Sequence, residues 1–285
     1  YNYIYIMNKL CCVFTCDKNY FQKFLTTLHK LRTIGNYTGE VCLVVGDDLK
    51  ILMNETTKNN LITDRNVIIK YFPNLSILSD NIFLNSQREL KRPGQHWFGK
   101  RFQFHKFYLF NTYFKQWDYI FYLDCGIHIY HDISEILKLR KSNTIIANRD
   151  GVDNENAGWC KPMSPGNGLK LGDQFVKSHN IYNKLQTKYN INESYFQTTI
   201  MLYDTNIIND NTFTDIYNLL LKYPISITND QGIIALYFTQ IYPCWQQIQR
   251  KINDDLYIYD YVRCINKKYI MVKNDSNKWL NTGYN

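Results

Sequence analysis

Short apolar runs alternate with helix-period segments along the first half of the chain, and that alternation restricts the folds open to it. Residues 10–15 ("LCCVFT") form an apolar run of strand length. Asp17 or Asn19 can cap the helix that follows, whose apolar positions Phe21, Phe24, Leu25, Leu28 and Leu31 recur at helical spacing before Gly35 stops it. Residues 40–46 ("EVCLVVG") and 66–72 ("NVIIKYF") read as further strands. After a connection containing Pro73, Pro93 and Gly94, an aromatic-rich helix over 97–114 leads into "DYIFYLD". This order predicts an α/β fold on a mostly parallel central sheet flanked by helices. Ligands in such sheets bind beyond the carboxyl ends of the strands. The run "YIFYLDCGIHIY" (119–130) breaks at Asp124, so Asp124 stands where a ligand would bind.

The second half continues with a short strand at 127–130, a helix capped by Asp132 and a strand near 144–147. Residues 148–192 are rich in Gly, Pro, Asn and Asp and read as an active-site loop region. A strand at 198–203 and a helix at 230–241 that opens on Asp230 follow, and the C-terminal third reads as less regular. There is no internal repeat, and the 285 residues read as one domain: a nucleotide-binding half of about 8–130 and an acceptor-side half of about 131–285.

Composition narrows the function classes. Hydrophobic residues at 45% exclude a disordered chain. The net charge is +8, but Lys and Arg are scattered, so a small phosphorylated ligand accounts for it and a nucleic-acid partner is not expected. No run of 18 apolar residues predicts a transmembrane helix, and the N-terminus lacks the pattern of a signal peptide. The eight cysteines show no CxxC pair or zinc spacing and read as reduced thiols, so a cytoplasmic protein is expected. The excess of Asn, Ile, Lys and Tyr suggests an AT-rich genome, such as that of a virus or protist.

Four stretches, "FTCDKNY", "DYIFYLDCGIHI", "YFQTTIMLYDT" and "NDQGIIALYF", occur in that order between about residues 10 and 238. Together they resemble the glycogenin-like retaining glycosyltransferases of family 8, which have a GT-A nucleotide-sugar fold. The family's "LYLDxDxLV" is met by "IFYLDCGIHI" except at the second acid, where Gly126 stands. Its "FN(S/T)GV" resembles "FQTTIM", with Gln197 for Asn and Thr199 for Gly, and its "DQ" helix start is met by Asp230 and Gln231. The resemblance implies transfer of a sugar from a nucleoside diphosphate donor, a UDP-sugar, to a hydroxyl acceptor on a glycan or protein, with retention at the anomeric carbon. An inverting or metal-independent enzyme and an inactive nucleotide-sugar-binding protein are the alternatives.

The chemistry explains the residue types. In the family a DxD pair holds manganese, which bridges both phosphates as a Lewis acid. Carboxylates at i and i+2 of an extended segment share a face about 7 Å apart. Here Asp124 is the expected ribose and metal contact, and Gly126 offers close backbone approach or a positive φ instead of a ligand. If Gly126 needs no positive φ, an acid there would rebuild the pair. His128 shares the strand face of Asp124 but about 13 Å away, and is a weaker candidate ligand for manganese or another divalent cation. The family's late His has no counterpart, and Lys273 or Lys278 can neutralise the diphosphate directly. Residual metal use at Asp124 is the favoured arrangement; a lysine-based one is its rival.

By the same resemblance Thr15, Asp17 and Tyr20 match the base- and ribose-binding loop, and Lys106 a basic nucleotide contact. Asp230 and Gln231 would lie beside the anomeric carbon, with Gln197 on the donor side; from their position alone, in the loop before "NAGW", Asp150 and Asp153 are candidates for sugar hydroxyl contacts on the donor. The plainer reading makes Asp17 and Asp230 helix caps, Tyr20 a packing aromatic and Lys106 a solvated side chain. Asp47 and Asp48 are expected to cap or to lie in a solvated turn.

Overall fold

The computed structural model describes residues 9–79, 97–150, 170–262 and 268–274. Among the described residues the strands, in chain order, are β1 (Leu10–Cys16), β2 (Glu40–Val45), β3 (Val67–Tyr71), β4 (Tyr119–Leu123), β5 (His128–Ile129), β6 (Ile145–Arg149), β7 (Phe196–Asp204), β8 (Trp245–Gln247), β9 (Leu256–Val262) and β10 (Lys268–Asn274). The α-helices are α1 (Phe21–Thr33), α2 (Asp47–Leu52), α3 (Glu55–Asn59), α4 (Ser134–Leu137), α5 (Asn180–Lys188), α6 (Thr212–Lys222) and α7 (Asp230–Leu236).

A seven-stranded sheet in the order β3-β2-β1-β4-β7-β6-β8 forms the centre. Every pair in it is parallel except the two made by β7, which runs antiparallel to β4 and β6. The expected mostly parallel α/β sheet is thus present. Its middle strands are buried on both faces, and their period-two alternation divides the core. Cys11 and Val13 of β1, with Ile120 and Tyr122 of β4, pack in the cluster that holds Phe104, Phe107 and Phe110. Cys12, Phe14 and Cys16, with Phe121 and Leu123, pack on the other side with Phe24, Leu28 and Leu31 of α1. Each such side chain contributes about 1.5–3 kcal/mol through its removal from water.

The structure changes several local expectations. The segment Trp97–Phe110 is a 3-10 helix and not an α-helix, and a second 3-10 turn, Thr112–Gln116, follows after Asn111 accepts from the Tyr113 N–H. The aromatic spacing fits three residues per turn: Phe104, Phe107 and Phe110 are three apart and all fully buried. At the end of α1 the left-handed residue is Asn36 (φ 53°), not Gly35, although the Gly35 N–H does bond back to Lys30. The 148–192 stretch is not wholly loop, since its described part carries α5; residues 151–169, including Asp153, lie outside the described residues. The helix opening on Asp230 is α-helical only to Leu236 and continues as a π turn over Tyr237–Ile241.

The C-terminal third is more regular than expected. β9 and β10 pair in parallel, and β5 joins β10 antiparallel to give a second sheet, β5-β10-β9. The expected strand over 127–130 therefore leaves the central sheet just after Asp124. Val272 of β10 pairs with His128, which carries the next residue, Lys273, to the end of β4. Among the described residues no helix is long and apolar enough to cross a membrane.

Candidate functional site

Asp124 follows β4 on the face already occupied by Ile120 and Tyr122, the face against the 3-10 segment. That face brings Lys106 to it: Lys106 Nζ lies 2.9 Å from Asp124 Oδ1 and 3.3 Å from Asp230 Oδ2. Lys106 Nζ also donates to the Thr198 hydroxyl and carbonyl, and the Thr198 hydroxyl donates to Asp230 Oδ2 at 2.7 Å. Lys273 Nζ reaches the other oxygen of Asp124 at 2.9 Å and the Cys125 carbonyl at 3.3 Å. The Tyr122 hydroxyl donates to Asp124 Oδ1 at 2.7 Å, and the Thr15 hydroxyl lies 2.9 Å behind it. Lys106 is therefore no solvated side chain but a buried ammonium joining β4, β7 and α7.

Burial penalises every charge in this set, and the partners decide the outcome. Burial alone would raise Asp124, but the Lys106 and Lys273 ammonium groups outweigh it and hold the carboxyl well below its usual range. Burial would lower Lys106, yet Asp124 and Asp230 raise it. For Asp230, which is 2% exposed, burial wins over Lys106 and Thr198, and its pKa is raised. Asp124 keeps an opening, with 18% of its side chain exposed, as does Lys273 with 19%.

Gly126 sits at φ 90°, the left-handed region where L side chains are strained. Its N–H donates to Thr27 Oγ1 and the Ile127 N–H returns to the Asp124 carbonyl, which closes a turn between β4 and β5. The glycine is thus a backbone requirement of that turn. An acid there would not simply rebuild a DxD pair.

A second polar group gathers around Asp150, just after β6. Gln197 Nε2 donates to Oδ1 at 2.7 Å, while Gln231 Nε2 (3.0 Å) and the Tyr195 hydroxyl (2.5 Å) donate to Oδ2. Gln174 accepts from Gln231 and from Thr228 and donates to Tyr195. Gly232 makes this packing fit, because a Cβ there would lie 2.7 Å from the Ser226 hydroxyl and 3.1 Å from Gln174 Cβ. Tyr195 and Gln197 stand two apart entering β7, a spacing the sequence offers; Gln174 had no signal.

The loop after β1 carries the remaining candidates. Asp17 is buried, which raises its carboxyl, and its Oδ1 accepts from the Tyr20 N–H at 2.9 Å. Tyr20 is 37% exposed at the start of α1, with Lys23 Nζ 4.7 Å above its ring. His128 is bonded through Nδ1 to Lys30 Nζ at 3.2 Å and is not brought together with Asp124. Asp47 and Asp48 serve local structure: Asp47 accepts from Tyr71 and from the Asn74 N–H, and Asp48 from the Lys18 and Leu49 N–H groups.

The manganese implied by the resemblance does not fit these donors. Both oxygens of Asp124 are engaged by ammonium and phenol groups, so a divalent ion there would stand beside two fixed positive charges. Gly126 supplies no side chain, and among the described residues no group of three or more His, Cys, Asp or Glu is placed to hold a metal ion.

No protein-family model and no curated protein sequence matches the chain. Among solved structures it is similar to the galactosyltransferase LgtC in complex with donor and acceptor sugar analogs. The TM-score is 0.50 at 12% identity, over 84% of this chain and 73% of that one. An active-site Gln-to-Glu mutant of LgtC matches with a TM-score of 0.53 at 12% identity, over 84% of this chain and 72% of that one. At such identity the likeness is one of fold, and the fold is the GT-A glycosyltransferase architecture.

Proposed function

We propose that the protein is a glycosyltransferase that moves a sugar from a nucleoside diphosphate donor, a UDP-sugar, to a hydroxyl acceptor. The observation that carries this reading is the buried Asp124–Lys106–Asp230 ion set. It ties the carboxyl end of a central strand to the start of α7, the place where ligands of parallel sheets bind. A protein that used this fold only as a scaffold would have little need to bury three charges there.

In the proposed reaction the bond between the anomeric carbon and the diphosphate oxygen breaks, and the electron pair leaves with the nucleoside diphosphate. The acceptor oxygen bonds to the anomeric carbon, and its proton departs with the diphosphate, on the face that retention requires. Thr15, Asp17 and the exposed ring of Tyr20 receive the base and ribose, with Asp124 as a ribose contact. Asp150, oriented by Gln197, Gln231 and Tyr195, faces the transferred sugar, and Gln231 lies beside the reacting carbon. Asp230 is too buried for that place and acts through Lys106, as a positioning residue. No step is routed through a divalent cation.

Melting in the presence of nucleotides tests the reading. UDP or a UDP-sugar at 100 times its Kd should stabilise the protein by about 2.7 kcal/mol, and Asp124→Asn should remove most of that shift while the chain stays folded. If no nucleoside diphosphate shifts melting at millimolar concentration, the donor site is misassigned.

A further inference from the structure

We propose that Lys273 and Lys23 neutralise the donor diphosphate as fixed ammonium groups, so that donor binding needs no divalent cation. The inference rests on the nucleotide-sugar reading and names the group that meets its charge. Lys273 Nζ is seated on two oxygens of the turn after β4, one from the Asp124 carboxylate and one from the Cys125 carbonyl. A bound cation would use the same two oxygens. Behind it Lys106 occupies the other oxygen of Asp124.

Lys106 and Lys273 both face Asp124, and Lys106, the buried member, also faces Asp230, which leaves Lys273 as the ammonium group at the opening. Lys23, in the first turns of α1, is near enough to Lys273 that burial first, and then that neighbouring charge, lower its pKa. Two ammonium groups that repel each other at an open edge are relieved by a multivalent anion between them. Lys23 also lies over the Tyr20 ring, in the loop proposed for the base and ribose, so the two ammonium groups fall on the path from nucleoside to sugar. A diphosphate would take charge-assisted hydrogen bonds from both.

Placing these lysines needs two separate parts of the fold. The β5-β10 pairing brings Lys273 to the turn, and the left-handed Gly126 bends β5 out of the central sheet to make that pairing. The glycine that replaces an acid and the lysine that replaces a cation are therefore parts of one arrangement.

Isothermal titration of UDP into the full chain decides the matter, with excess EDTA and, separately, with manganese. The expected result is the same affinity in both conditions. Lys273→Gln should lose about tenfold or more, the loss expected for one charge-assisted bond to phosphate. Lys273→Arg should retain most of the affinity, and melting of each variant without ligand shows that it folds. Lys23→Gln leaves Asp124 with both its ammonium partners and should weaken UDP in the same direction. UDP binding that is lost in EDTA and restored by manganese would overturn this inference and leave the donor reading standing. Unchanged affinity in both glutamine variants would also overturn it. Absence of UDP binding under both conditions would remove the donor reading with it.

Discussion

Asp230 shows how much one residue's meaning depends on its neighbours. It begins α7, accepts from Thr198 and faces Lys106. An Asn in its place can still accept from Thr198, and Lys106 keeps Asp124 as its counter-ion, so Asp230→Asn should melt within a few degrees of wild type. What changes is the charge that aims Lys106. We expect kcat to fall at least about tenfold with a much smaller change in KM, because positioning matters most where charge develops in the transition state. Wild-type kcat in the Asn variant would reduce Asp230 to the opening residue of a helix. Gly126 is a residue-scale question of another kind. At φ 90° a Cβ is strained, and Gly126→Ala should destabilise the protein by about 1–2 kcal/mol in denaturant unfolding. Gly126→Asp should suffer the same strain and gain no manganese affinity. A neutral Ala substitution would show that the turn tolerates side chains.

Among the elements, the 3-10 segment Trp97–Phe110 does more than its length suggests. It packs Phe104, Phe107 and Phe110 against the sheet and presents Lys106 to the site between them. The same turns bury His105, whose Nε2 donates to the Phe72 carbonyl at 3.0 Å while Nδ1 has no hydrogen-bond partner among the described residues. Burial lowers its pKa from 6.5 to about 4. The unfolded chain therefore binds a proton that the folded chain refuses between those values. Stability held above pH 6.5 is lost as the pH falls towards 4, by about 3 kcal/mol for this one group. Denaturant midpoints measured from pH 7 to pH 4 should fall, and His105→Phe should flatten the fall. A variant that keeps the wild-type slope would place the acid sensitivity elsewhere.

On the scale of the molecule, the site is where two sheets meet. The central sheet supplies Asp124 and Thr198 at neighbouring strands, with the Asp124 N–H bonded to the Thr199 carbonyl, and the small sheet supplies Lys273. The antiparallel direction of β7 matters here. It starts at the edge where β4 ends, so Gln197 and Thr198 near the start of β7 meet the residues that follow β4 and β6. α7 then closes the gap between them, with Asp230 towards Lys106 and Gln231 towards Asp150.

The sequence by itself determined the α/β class, the central strands and the position of Asp124 at a strand end. Those follow from apolar periodicity, a local property of each segment. It also marked Asp230, Gln231, Gln197 and Lys106 through motif order, without saying that Lys106 is buried between two carboxylates. Nothing local could show that the strand after Gly126 would desert the central sheet, that β10 would bring Lys273 to Asp124, or that Gln174 would join Gln231. Those contacts are made between segments far apart in the chain, and side-chain periodicity carries no information on pairing at that range. The fit of the site to a metal is likewise a tertiary property. A glycine in place of an acid is ambiguous in a string of letters; its positive φ and the ammonium beside it appear only once the chain has closed on itself.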